Sequence, residues 1–147
     1  MNCKPFVHCF DFINQKHAIV VFSDRRSATT FIYENRNSDS LSKYRIDGCL
    51  ITDNGAKCDY LLLNCNKSIS YFIELKGSDL IRAVDQIDRS IDLLIDSLTD
   101  FTVFARIVLT RVNTTDLKSA KYLRLEKRIQ GLGGNLKKQC RQMTEMN

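Results

Sequence analysis

The 147-residue chain has one proline and six glycines, and it holds no biased tract long enough to indicate disorder. It lacks any run of roughly 18 consecutive apolar residues, which excludes a membrane-spanning helix and predicts a soluble protein. The opening Met1-Asn2-Cys3-Lys4-Pro5 has no long apolar stretch of the kind a secretory signal carries. No internal repeat is present. No Ser-His-Asp or Cys-His grouping is recognisable, and His17 has no nearby acid-base partner in sequence. Cys3, His8 and Cys9 are not spaced as a usual zinc pair, and no second pair follows.

What is present fits one domain of ordinary composition. A chain of 147 residues can bury roughly two-thirds of the surface its unfolded form exposes. The net charge of +5 is too small to identify a polyanionic partner by itself, but it is unevenly placed. Between Arg106 and Arg141 there are ten Lys or Arg against only Asp116 and Glu126, so the C-terminal third is basic. Of the six cysteines, Cys49, Cys58 and Cys65 sit in or beside apolar runs, where a free thiol behaves as a small hydrophobe. Reduced thiols and a cytoplasmic location are expected.

Along the chain, His17 to Phe22 is β-branched enough for a strand, and Ser23-Asp24 has the chemistry to cap a helix through about Asn35. The polar run Asn35 to Ser40 predicts a loop. Tyr44 to Ile51 and Cys58 to Asn64 flank the turn signal Asp53-Asn54-Gly55 and predict a hairpin. A third strand follows over Ser68 to Lys76, where Ile69, Tyr71, Ile73 and Leu75 alternate with Ser70, Phe72, Glu74 and Lys76. After Gly77, Ser78 and Asp79 cap a helix whose Leu80, Val84, Ile87, Ile91, Leu94, Ile95 and Leu98 recur at helical spacing. Phe101 to Val112 reads as a buried strand, parallel to its predecessor through the helical crossover. Asn113-Thr114-Thr115 then caps a helix carrying Leu117, Ala120, Leu125 and Ile129, which Gly131, Gly133 and Gly134 terminate. A basic strand or tail, Asn135 to Met143, closes the chain. The class is α/β, with a mixed central sheet in strand-strand-strand-helix-strand-helix order flanked by helices.

Glu74 and Lys76, two residues apart, emerge on one face of their strand, just before a helix, where open α/β sheets commonly place ligands. Asp59 opens the antiparallel neighbour and so lies beside the end of Glu74's strand. Two carboxylates and an ammonium on one patch are costly without a partner, and a hard divalent cation bound to both carboxylates relieves the cost. Mg²⁺ suits such a site because it keeps several waters and needs only one or two carboxylates.

The run Cys58-Asp59-Tyr60-Leu61-Leu62, then Phe72-Ile73-Glu74-Leu75-Lys76-Gly77, then a helix bearing Gln86, resembles the core of the PD-(D/E)xK phosphodiesterase superfamily, the restriction-endonuclease-like nucleases. The match spans roughly Tyr44 to Val112, with Cys58 where the nominal motif has proline. The resemblance implies a single restriction-endonuclease-like domain that is a Mg²⁺-dependent DNA endonuclease, with Mn²⁺ able to substitute. By the same resemblance Asp59, Glu74 and the Leu75 carbonyl are metal ligands, and Lys76 acts on the attacking water. Gln86 and Glu34 would correspond to a helix glutamine near the site and to an acidic residue on the first helix.

Each feature also has a plainer reading. Glu74 and Lys76 can be a solvated cross-strand pair, Gln86 a polar boundary residue, and Glu34 a solvated helix residue. Lys118, Lys121, Arg124 and Arg128 form one helical stripe, followed by Lys137, Lys138 and Arg141, and these fit either a phosphate-contacting surface or a solvated face. The partner implied is nucleic acid, DNA before RNA, with no membrane role. Sequence-specific cutting by so small a domain would call for a homodimer or a partner subunit. The alternatives are an RNA-directed nuclease and a catalytically inactive module binding nucleic acid or protein on the same fold.

Overall fold

The computed structural model describes residues 3–111 and 119–147. In chain order its elements are β1 (Phe10–Gln15), β2 (Ile19–Asp24), β3 (Thr29–Glu34), β4 (Leu41–Arg45), β5 (Tyr60–Asn64), β6 (Ile69–Lys76), α1 (Leu80–Leu94), β7 (Thr102–Leu109), α2 (Ala120–Gly131), β8 (Gly133–Cys140) and β9 (Gln142–Met146). A six-stranded mixed sheet has the order β1-β4-β5-β6-β7-β8, and a separate three-stranded sheet has the order β2-β3-β9. The fold is α/β.

The middle of the chain forms as its pattern predicts. β5 and β6 pair antiparallel, while β6, β7 and β8 run parallel, the two connections carrying α1 and α2. Asp79 caps α1 by accepting from the Arg82 N–H at 2.9 Å. The helix buries Leu80, Ala83, Val84, Ile87, Ile91 and Leu94 against Leu61, Phe72 and Ile107 of the sheet. Each large aliphatic side chain buried there is worth roughly 1.5–3 kcal/mol. In α2, Tyr122, Leu125 and Ile129 are buried and Ala120 is exposed. Ser119 is its N-cap, and the predicted cap Asn113-Thr114-Thr115, like Leu117, lies outside the described residues.

Three expectations are corrected. The segment from Ser23 to Asn35 is a hairpin, not a helix: β2 and β3 pair in register from Ile19↔Glu34 to Asp24↔Thr29. The Asp24 carboxylate, which has helix-capping chemistry, instead accepts from the Arg26 N–H and the Ser27 hydroxyl and closes the turn. Alternation along Thr29–Glu34 then buries Phe31 and Tyr33 on one side. The helices consequently do not flank the sheet on both faces. The face opposite α1 and α2 is covered by the small sheet through Val20, Phe22, Phe31, Tyr33 and Met143, packed on Leu62, Tyr71, Ile73 and Leu75.

The hairpin of β4 and β5 is also differently drawn. β4 ends at Arg45, and an irregular segment from Ile46 to Asp59 replaces the tight turn expected at Asp53-Asn54-Gly55. α2 ends at Gly131 with Leu132 as its C-cap and Gly133 at φ 93°, so the glycines do stop the helix as expected, and Gly133 and Gly134 also open β8. A Cβ on Gly134 would sit 1.9 Å from the Val103 carbonyl oxygen, so only glycine lets β8 approach β7 there.

The third correction concerns the thiols. Cys3 is paired with Cys65 and Cys9 with Cys49, at Cα separations of 5.4 and 5.6 Å, while Cys58 and Cys140 are free. The partners stand 62 and 40 residues apart, a proximity that local apolar context does not reveal. Among the described residues no helix is long and apolar enough to cross a membrane.

Candidate functional site

The pairing of β5 with β6 sets the site. Tyr60 lies opposite Ile73, so Asp59, one residue earlier, lies opposite Glu74, and its N–H donates to the Ile73 carbonyl at 3.2 Å. Leu61 and Phe72, paired with each other, belong to the helix-side core, and alternation puts Asp59, Glu74 and Lys76 on that same face. Ile73 and Leu75 point the other way, into the small-sheet core.

The two carboxylates are held rather than loose. Asp59 Oδ2 accepts from the Leu75 N–H at 2.9 Å, a bond that runs from one strand end to the other. Glu74 is 2% exposed, and its Oε1 has no hydrogen-bond partner among the described residues. Lys76 Nζ stands 4.0 Å from Glu74 Oε2. The Gln86 side-chain oxygen is also buried without a partner among the described residues, and Gln86 reaches the cleft from α1.

Burial pushes the Glu74 carboxyl well above the usual carboxylate range, the adjacent Asp59 charge adds to it, and Lys76 opposes it. Asp59 is also raised, again chiefly by burial, although the Leu75 N–H and the proton shared from Glu74 pull it down. The pair therefore resists full ionisation. An unpartnered buried oxygen and two carboxyls that cannot both ionise cheaply are what a divalent cation would relieve.

A cleft of about 480 Å³ opens over this pair. Its wall includes Asp59, Glu74, Leu75, Lys76, Gln86 and Thr110, joined by Asp47 from the irregular segment and by Asp24, Arg26 and Ser27 from the β2–β3 turn. Sequence reasoning missed this second group. Asp47 and the turn residues sit in stretches without periodicity, so nothing local marks them as neighbours of Glu74. Among the described residues no three His, Cys, Asp or Glu side chains form a cation cage. Two carboxylates with open positions suit Mg²⁺, which retains waters, better than Zn²⁺ or Ca²⁺.

The remaining candidates lie elsewhere. Glu34 is at the far end of β3 and accepts from Arg36 at 2.9 Å, so it is neither on a helix nor in the cleft. Lys121 pairs with Asp85 at 3.2 Å, and Arg128 with Asp88 and Asp92 at 2.5 and 2.7 Å, which knits α2 to α1. Arg124 is exposed, its Nε donating to the Ala120 carbonyl. Lys137 and Lys138, paired with Arg106 and Ile107, stand on opposite faces of β8. Lys118 lies outside the described residues. None of the basic residues named from α2 and β8 lines the cleft. No protein-family model matches the chain, and neither the curated proteins nor the solved structures contain a match.

Proposed function

We propose that the cleft is the active site of a Mg²⁺-dependent phosphodiesterase that hydrolyses nucleic acid, with DNA as the leading substrate. The observation that carries this reading is the facing of Asp59 and Glu74 across β5 and β6, with Glu74 Oε1 buried and unpartnered and Lys76 beside it. The order β4-β5-β6-α1-β7 supports a restriction-endonuclease-like core of the PD-(D/E)xK kind, and the choice of DNA over RNA comes from that resemblance. The small sheet would be an addition to that core.

In this reading Asp59, Glu74 and the Leu75 carbonyl hold the cation, which when bound supplies Lewis acidity toward a phosphodiester oxygen. The Leu75 N–H keeps the Asp59 carboxylate from rotating away. The Lys76 ammonium orients the attacking water and stabilises charge as the water oxygen bonds to phosphorus. The Gln86 oxygen, which has no protein donor among the described residues, accepts a hydrogen bond from that water. As the water oxygen bonds to phosphorus its proton passes to solvent, the bond from phosphorus to the leaving oxygen breaks, and solvent returns a proton to that oxygen.

The contact between Lys76 and Glu74 favours a second reading, a catalytically inactive module in which the charges neutralise each other. Incubating plasmid, linear duplex, single-stranded DNA and RNA with Mg²⁺, Mn²⁺ or EDTA separates the two. Cutting that needs metal and falls at least about 10²-fold in Glu74→Gln or Asp59→Asn supports the enzyme. Absence of cutting, with nucleic-acid binding that ignores both substitutions, supports the module. A homodimer or partner subunit would serve sequence-specific cutting. A cytoplasmic location loses the argument from reduced thiols, since four of the six cysteines are paired.

A further inference from the structure

The floor of the cleft is acidic. Asp24, Asp47, Asp59 and Glu74 line it against Lys76 and Arg26, so a polyanion entering it meets repulsion that one divalent cation offsets only in part. Among the described residues of the basic stripe, Lys121 and Arg128 are paired with α1 aspartates, Arg124 donates to the Ala120 carbonyl, and none of the three lines the cleft. The cation that does line the cleft from its rim is Arg26, whose side chain is 97% exposed, and Arg25 beside it is also exposed.

The turn that carries them is fixed. Both Asp24 oxygens are engaged, Oδ1 by the Arg26 N–H at 2.9 Å and Oδ2 by the Ser27 hydroxyl at 3.2 Å. Ser27 and Thr29 share a further bond of 2.6 Å. Asp24 is thereby committed to the turn, which holds the arginine backbone in place and leaves the guanidinium of Arg26 in solvent at the mouth, 4.0 Å from Asp24 Oδ1.

From this we infer that the β2–β3 turn is a phosphate clamp: Arg26, with Arg25 behind it, grips a backbone phosphate of the nucleic-acid strand flanking the one that is cut. The inference rests on the phosphodiesterase reading of the cleft and deepens it by assigning the substrate-gripping surface to the small sheet.

The test compares wild type with Arg25→Ala/Arg26→Ala and with a charge-matched control, Arg36→Ala/Lys67→Ala. Arg36 follows the far end of β3, roughly 20 Å along the strand from the turn, and Lys67 precedes the start of β6, the end opposite Lys76. Anisotropy of fluorescein-labelled single-stranded DNA, duplex DNA and RNA in EDTA is measured across a salt series, and cleavage is measured with Mg²⁺. The clamp variant is expected to bind about 10-fold more weakly near 0.1 M salt and to lose about one to two from the slope of log K against log salt. Its cleavage loss should appear in KM with kcat little changed, while the control follows wild type.

Equal Kd, slope and KM for clamp and control variants overturn the clamp even if metal-dependent cutting is intact. Clamp-dependent binding without any cutting keeps the clamp and removes the catalytic reading. If wild type neither binds nor cuts, both are overturned.

Discussion

The two faces of the six-stranded sheet are built by different means. On the helix face, β5, β6, α1 and β7 follow one another in the chain, and their aliphatic side chains close on near neighbours. On the opposite face a core rich in rings, Phe22, Phe31, Tyr33 and Tyr71, is assembled from remote segments. β3 pairs in parallel with β9, and the Asn147 side chain donates to Asn35 Oδ1 across 112 residues. The Asp59–Glu74 pair belongs to the first kind of construction and the arginine turn to the second. The difference teaches that the chemistry can be carried by a short, locally determined stretch, whereas the surface that would present substrate to it needs the whole chain folded.

The sharpest way to break this contrast is to loosen the remote face alone. Arg106 is buried in β7, with Nε 2.6 Å from Glu145 Oε1 of β9, and it donates to the Ala105 and Asn135 carbonyls. Arg106→Met should cost about 3–5 kcal/mol, read as a lower urea midpoint, because Glu145 is left without its cation in a partly buried position. An unchanged midpoint would mean that pairing with β3 and ring packing hold β9 without the ion pair. Next in size, Cys9→Ser or Cys49→Ser should cost about 2–4 kcal/mol, since the 40-residue loop is no longer closed in the unfolded chain. Wild type melting identically with and without reductant would show that this pair does not form in solution.

On the helix face, Gly134→Ala should cost about 1–3 kcal/mol through the clash with the Val103 carbonyl. A further effect is on pH dependence. Glu74 has its folded-state pKa raised above the ordinary 4.5, so its contribution to stability is complete below that pH and is lost as pH rises toward the raised value. Metal-free protein should therefore melt at lower temperature as pH rises over that window, and Glu74→Gln should flatten the slope. A steeper slope in the variant contradicts the assignment.

The same contrast explains what the sequence makes legible. β5, β6, α1 and β7 are readable because each pattern reports burial by a neighbour close in sequence: the alternation Ile69, Tyr71, Ile73, Leu75 and the helical spacing Leu80, Val84, Ile87, Ile91. Asp59, Glu74, Lys76 and Gln86 ride on those elements and are found together at one cleft, although their chemistry rests on the proposal above. The segment Ser23–Asn35 misleads because Asp24 has the same oxygen chemistry for a turn as for a helix cap, and the strand form is secured by pairing with β9 and packing on the large sheet. Glu34 goes astray with it. Asp47, Arg26 and the cysteine pairings depend on contacts between segments tens of residues apart, which no local period encodes.

Mn²⁺ binding followed by electron paramagnetic resonance, with wild type, Asp59→Asn and Glu74→Gln side by side, tests the proposed metal site most directly. One bound ion per chain is expected in wild type, released by EDTA, weakened at least about 10-fold in either variant, and weakened further as pH falls, because both carboxyls are raised and protons compete with the metal. Equal binding by all three proteins, or none by wild type above pH 7, would contradict a metal site at Asp59 and Glu74.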